Sequence, residues 1–163
     1  SRPHRIFLAE IEVAVRLGAD IKPGASRSEV DAAIASLHPA IELVANPFVD
    51  RDAVPRNLQL ADLQSNGAVV VGTALDRAMI AGLDNLAVTL ELDGKPAHQG
   101  EKGASWEESL EAIAWLAGHA AGRGMPLTAG QVIITGARAL ARLNGATIVE
   151  GILGEWARVT CGV

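Results

Sequence analysis

The sequence predicts an α+β fold: a mixed β-roll or barrel-like curled sheet with two helices packed against it. Three observations predict it. Strand-like segments with period-2 alternation outnumber helical ones. Only two stretches open with a helix capping box. The order of elements is too irregular for a repeating βα unit with a parallel sheet. The 163 residues contain 49% hydrophobic and 20% charged residues, the profile of a folded chain with a real core. With no repeat, low-complexity tract or linker to split it, residues 1–163 are expected to form a single domain.

The first strand reads from Leu8 to Leu17, and its start could lie as early as Ile6. Ile11, Val13, Val15 and Leu17 form an apolar stripe on one face. Glu10 and Glu12 sit two apart on the other, between the apolar Leu8 and Ala14. Gly18 and a polar connector, Ala19 to Gly24, follow. Ser26 and Glu29 make a capping box, and Val30, Ala33, Ile34 and Leu37 recur at helical spacing, so a short helix is expected to close before Pro39.

Pro39 to Ala45 is the second strand, with Glu42 the lone charge in an apolar run. Asn46 to Gln59 is a long loop punctuated by Pro47, Asp50 and Pro55, a length often tied to function. The segment Ala61 to Gly67 leads into the Val-rich strand Ala68 to Gly72. Leu86 to Leu92 alternates, Asp93-Gly94 signals a type I′ hairpin turn, and Lys95 toward Gly100 is the return strand. Ser105 and Glu108 form the second capping box. Behind it Trp106, Leu110, Ile113, Ala114, Ala117 and Ala121 trace one face of the main helix, which ends near Gly122 to Gly124. Strands at 132–136, 146–149 and 154–161 complete the chain.

Composition excludes several function classes. A net charge of −5 and 3% aromatic residues leave neither an electrostatic footprint nor stacking platforms for nucleic acid. No apolar run reaches the roughly 18–20 residues of a membrane span. The single Cys161 rules out an intrachain disulfide and any Cys-based zinc site, fits a reducing compartment, and has no activating neighbour. Residues 1–5 precede no apolar signal segment, so the expected location is cytoplasmic. The four histidines do not cluster. Each reads as structural or exposed, with His98 the one that could line a pocket. Gly100 to Gly103 lacks the Gly-Lys-Ser/Thr ending of a phosphate loop.

The chemistry-bearing constellation is Glu10, Glu12 and Glu42. Like charges side by side in apolar company are costly unless something positive compensates them, and no Lys or Arg is interleaved. Three carboxylates from two strands make an oxygen-only shell that suits Mg2+ or Mn2+ far better than zinc. The alternative is an edge strand with a solvated acidic face. Asp62 and Ser65 could bind substrate or order a catalytic water, or could simply cap a turn. Thr135 and Gly136 could offer a hydroxyl and an amide to a substrate carboxylate, or form a plain strand-to-loop turn.

These same segments carry a family resemblance. Glu10-Ile11-Glu12, Pro39-Ala40-Ile41-Glu42, Ala61-Asp62 before Ser65-Asn66-Gly67, and Leu127 through Thr135-Gly136 resemble, in order and spacing, the 2-keto-4-pentenoate hydratases of the fumarylacetoacetate hydrolase superfamily. The chain is similar to the C-terminal catalytic portion of such an enzyme, with most of the N-terminal region absent. The resemblance implies a fumarylacetoacetate hydrolase-like β-roll. It implies Mg2+ or Mn2+ on Glu10, Glu12 and Glu42, and a small 2-oxo acid substrate whose conjugated alkene takes up water. It also implies a homo-oligomer. Decarboxylases and C–C hydrolases of the superfamily, and a non-catalytic homologue or partner subunit, are the alternatives. Two positions depart from the family pattern: Ala61-Asp62-Leu63-Gln64-Ser65 replaces Ala-Asp-Asn-Ala-Ser, and Thr135-Gly136-Ala137 replaces Thr-Gly-Ser.

Overall fold

In the computed structural model, which describes residues 5–48, 50 and 53–163, two antiparallel sheets pack face to face. The first strand, β1 (Arg5–Leu17), runs the full width of the five-stranded sheet. It pairs on one side with β2 (Ile34–Asn46), which in turn pairs with β3 (Asn66–Val71). On its other side β1 holds two short strands in succession, β6 (Val132–Ile134) and β7 (Ala139–Arg142). The second sheet runs β5 (Lys95–Gly100), β4 (Val88–Leu92), β8 (Ile148–Leu153), β9 (Ala157–Gly162). No closed barrel forms among the described residues, so the curled architecture is realised as two packed layers.

The apolar stripe of β1 explains the packing. Ile11, Val13, Val15 and Leu17 are each at most 1% exposed, and Ile41 and Leu43 of β2 share their face. Against them lie Val88, Leu90, Val149, Leu153 and Val159 of the second sheet. Gly151 marks the closest approach, because a methyl group there would run into the Ile11 side chain. Helix α3 (Trp106–Ala121) buries Leu110, Ile113 and Ala117 in the same core. Both capping boxes form as the sequence predicts, at Ser26/Glu29 and Ser105/Glu108. Asp93 and Gly94 both have positive φ, as a type I′ turn requires.

Several boundaries differ from the sequence expectation. Helix α1 spans only Arg27–Ala33, and Ile34 to His38 belong to β2. Ile34 and Leu37 are buried in either conformation, so their spacing does not discriminate. What decides is the open ladder of β1, whose Val15, Arg16 and Leu17 pair with Leu37, Ser36 and Ile34. His38 therefore lies in a strand, not at a helix end. It is 7% exposed and hydrogen-bonded to Ser36 Oγ and the Gly72 carbonyl. The long loop contains a short helix, α2 (Arg56–Ala61), with no buried residue, and Arg77–Asn85 forms a 3₁₀ stretch. The first is only six residues long, too short for a helical period to stand out. His4 lies outside the described residues. Among the described residues no helix is long and apolar enough to cross a membrane.

Candidate metal centre

The β1–β2 register builds the site. Glu10 sits directly opposite Glu42, and Glu12 lies two residues along the same face. Like charges directly opposed across an antiparallel pair are destabilising, yet the three side chains converge. Each offers a carboxylate oxygen within 4.8 Å of the other two. Glu12 is 1% exposed, while Glu10 and Glu42 are half-buried. Burial, reinforced by the neighbouring carboxylates of Glu42 and Glu10, pushes the Glu12 pKa up to about 7, against the pull of a backbone hydrogen bond. Burial and Glu42 likewise raise that of Glu10.

Two donors from elsewhere steady the carboxylates. The first comes from the edge of β1. Glu12 and Val13 lie in the gap between β6, which pairs as far as Ala14, and β7, which begins at Ile11. Residues 135–138 must cross that gap. Thr135 anchors the crossing with its amide and hydroxyl on the Val13 carbonyl (3.1 and 2.8 Å), and Arg138 closes it on the Ile11 carbonyl at 2.9 Å. Between them Gly136, at φ +106°, donates its amide to Glu12 Oε2 at 2.7 Å. A left-handed φ of this kind favours glycine.

The second donor depends on a bulge. Glu42 pairs with Val69 and Leu43 with Ala68, but Val44 then pairs with Asn66, leaving Gly67 unpaired. In regular register Asn66 would oppose Ala45 and face the core. The bulge brings it to the carboxylate face. There Asn66 Nδ2 donates to Glu42 Oε1 at 2.6 Å.

The trio opens into a cleft of about 610 Å³ whose walls include Phe7, Leu8, Val44, Leu63, Gln64 and Arg142. Gly136 and Ala137 also line it. Thr135 does not; it borders a smaller recess beside α3. The Thr135 hydroxyl and the Gly136 amide are thus both engaged within the protein.

Asp62 and Ser65 are not among the residues lining this cleft. Ser65 lines an adjacent cavity of about 390 Å³ with Arg56, Gln59 and Leu60, and Gln64 forms the wall between the two. Leu63, Gln64 and Ser65 all have positive φ, a run that costs non-glycine residues strain. The Ser65 hydroxyl is buried without a hydrogen-bond partner. The turn is closed by its backbone, Ser65 N to the Asp62 carbonyl at 2.8 Å, and Asp62 contributes no side-chain cap. His98 is exposed, with Nδ1 against the Leu140 carbonyl at 2.8 Å, and His119 stacks on Trp115.

Asn66, Arg142 and the buried Arg138 escape a reading of the sequence alone. Arg138 spans Leu83 and Ala104 with hydrogen bonds of 3.0 and 2.7 Å to their carbonyls. Burial lowers its pKa, partly offset by Asp84 and Glu12.

The model of the C-terminal domain of fumarylacetoacetate (FAA) hydrolases matches residues 4–151. The chain belongs to the fumarylacetoacetate hydrolase family. Within that family it is similar to 2-hydroxyhexa-2,4-dienoate hydratase of Comamonas testosteroni, with 33% identity over 132 residues, 80% of this chain and 50% of that protein. It is 30% identical over 129 residues to 2-keto-4-pentenoate hydratase of Paraburkholderia xenovorans, covering 78% of this chain and 48% of that protein. The chain spans about half the length of the curated relatives it matches. A solved 4-oxalocrotonate decarboxylase from Pseudomonas putida G7, complexed with calcium and acetate, superposes with a TM-score of 0.75 at 25% identity, over 94% of this chain and 59% of that one. The same decarboxylase complexed with magnesium and adipate gives a TM-score of 0.78 at 23% identity over 94% and 59%.

Proposed function

We propose that this chain carries the metal-binding catalytic portion of a hydratase that adds water to a small unsaturated 2-oxo acid, such as 2-hydroxypenta-2,4-dienoate. The observation that carries the reading is the convergence of Glu10, Glu12 and Glu42 at the cleft. The similarity to two hydratases supports the reaction class.

The donor set fits Mg2+ or Mn2+. It is all oxygen, and no cation of the protein pairs with it among the described residues. Glu10, Glu12 and Glu42 would hold the ion. Bound there, it would supply Lewis-acid stabilisation of negative charge developing at the 2-oxo group. The chain's own groups do the rest. Gly136 fixes Glu12 Oε2 and Asn66 fixes Glu42 Oε1, which orients both carboxylates before an ion arrives. With its pKa raised to about 7, Glu12 is only partly ionised at neutrality, so metal binding there would release a proton. Leu8, Val44 and Leu63 give an apolar wall for the unsaturated chain. Ser65, beyond the Gln64 wall, and Asp62, which closes the same turn, are the groups we assign to ordering water, and Thr135 with Gly136 to shaping the carboxylate end.

The experiment is turnover of 2-hydroxypenta-2,4-dienoate by the purified chain with Mg2+ or Mn2+. Formation of the 4-hydroxy-2-oxo acid supports a hydratase. The likeness to the decarboxylase favours a second reading, which CO2 release from an unsaturated 2-oxo acid bearing a second carboxylate would support. A flat trace with metal bound would support a non-catalytic homologue. Metal binding by Glu12→Gln equal to wild type would remove the site itself. Exposed Leu58, Leu60 and Leu63 support self-association, which sedimentation tests.

A further inference from the structure

The cleft has two chemically different ends. The β1–β7 register sets Leu140 opposite Glu10 and Arg142 opposite Leu8. Opposed residues of an antiparallel pair share a face, so Arg142 stands on the carboxylate face, one strand over from Leu8. Leu8 is itself opposed by Val44 on its other side. Along this face the order is therefore the Glu12 end, the Glu10/Glu42 pair, then an apolar step of Leu8 and Val44, with the guanidinium of Arg142 beside that step. Glu10, Glu12, Glu42, Leu8, Val44 and Arg142 all line the one cleft.

The Arg142 side chain forms no hydrogen bond or ion pair among the described residues, while its backbone lies in the ladder opposite Leu8. Three carboxylates share its cleft, and it pairs with none of them. It is thus not their counter-ion. An unpaired guanidinium, with its fork of donors, matches a carboxylate bidentately.

We propose that Arg142 is a specificity-determining residue of this cleft, receiving an anionic tail, so that the preferred substrate is an unsaturated 2-oxo acid with a second carboxylate at its far end. The inference rests on the 2-oxo acid reading above. The geometry sets the spacing. Leu8 and Glu10 are two residues apart on a strand, roughly 6.8 Å, which an extended chain of about five or six carbons spans. A neutral tail would satisfy Leu8 and Val44 but leave the guanidinium to water.

The test is calorimetric binding of two unreactive acids to the Mg2+-loaded chain: 2-oxopentanoate and 2-oxohexanedioate, which differ in the terminal carboxylate and have no alkene to hydrate. Wild type is expected to bind the diacid about tenfold more tightly, the scale of one charge-assisted pair. That ratio should fall to near one in Arg142→Gln and stay intermediate in Arg142→Lys, which keeps the charge and loses the fork. Arg142 is exposed, and circular dichroism checks that both variants fold. If Arg142→Gln does not fold, the wild-type ratio and the Lys variant decide. A wild-type ratio near one, or an unchanged ratio in Arg142→Gln, overturns the inference and leaves Arg142 a solvated surface arginine. If neither acid binds wild type with Mg2+ present, the 2-oxo acid reading fails and takes this inference with it. Equal binding of both acids defeats Arg142 alone.

Discussion

Replacing Glu12 by Gln should stabilise the metal-free protein at high pH and abolish its response to metal. The magnitude follows from the burial of Glu12. A carboxyl group whose ordinary value is 4.5 is held at about 7 in the fold. At about 1.4 kcal/mol per tenfold, keeping it ionised costs the native state roughly 3 kcal/mol. The sign is fixed by proton counting. Below the unfolded value both states are protonated and the penalty is absent. As pH rises toward 7 the unfolded chain releases its proton first, so stability falls, and above about 7 the whole penalty applies. The substituted amide would carry no charge, and its oxygen can still accept from Gly136. In chelator near pH 8 the variant should therefore melt higher than wild type, at roughly 2–4 °C per kcal/mol for a chain of this size. Near pH 4 the two should nearly coincide. With Mg2+ at about 1,000 times its Kd the order should reverse, because wild type gains about 4.1 kcal/mol and the variant little. Urea or thermal unfolding at both pH values, with and without Mg2+, reads all of this. A Glu12→Gln chain no more stable than wild type at pH 8 in chelator, or a wild type equally stable at both pH values, would refute the reasoning.

Three further outcomes are expected. Asn66→Ala removes the 2.6 Å hydrogen bond to Glu42 and should weaken Mg2+ binding about 10–100-fold by titration calorimetry while leaving the fold intact. Gly136→Ala meets no atom within 4 Å but must hold φ near +106°, so about 1–3 kcal/mol of stability should be lost through strain alone, measured by urea unfolding. Gly67→Ala would drive a methyl group to 2.6 Å from Ala45 Cβ and 2.8 Å from the Leu43 carbonyl. The bulge should shift, and metal affinity should fall alongside stability, whereas a loss of stability alone would break the link between the bulge and the site.

Much of this was legible in the residues. β1 could be read because its two faces differ so sharply, with aliphatics on one and glutamates on the other. The capping boxes and the Asp93-Gly94 turn are local signals and form locally. What could not be read depends on partners distant in the chain. Ile34 and Leu37 fit a helical or an extended period, and only the waiting ladder of β1 decides. β7 is four residues, ALAR, with no alternation long enough to notice. The trio of glutamates stands out as lone charges in apolar strands, but Asn66 looks like any turn residue. Its role depends on a one-residue bulge that flips its face. Arg142 is likewise an ordinary surface arginine until the β1–β7 register places it in the cleft.

The supports around the trio argue against a merely solvated acidic face. A solvated carboxylate needs no protein donor, since water supplies them. Here the chain bulges at Gly67 to bring an amide to Glu42, and crosses from β6 to β7 through a left-handed glycine to bring another to Glu12. The Gly136 amide favours the ionised form of Glu12, while burial and the neighbouring carboxylates disfavour it. These opposing demands leave the metal-free site carrying a penalty the fold does not relieve from within. A divalent cation held by Glu10, Glu12 and Glu42 would offset that repulsion, with the two amides holding oxygens already aimed. Stability at high pH would thereby be coupled to metal occupancy, which makes the Glu12→Gln reversal a test of the arrangement and not of one side chain.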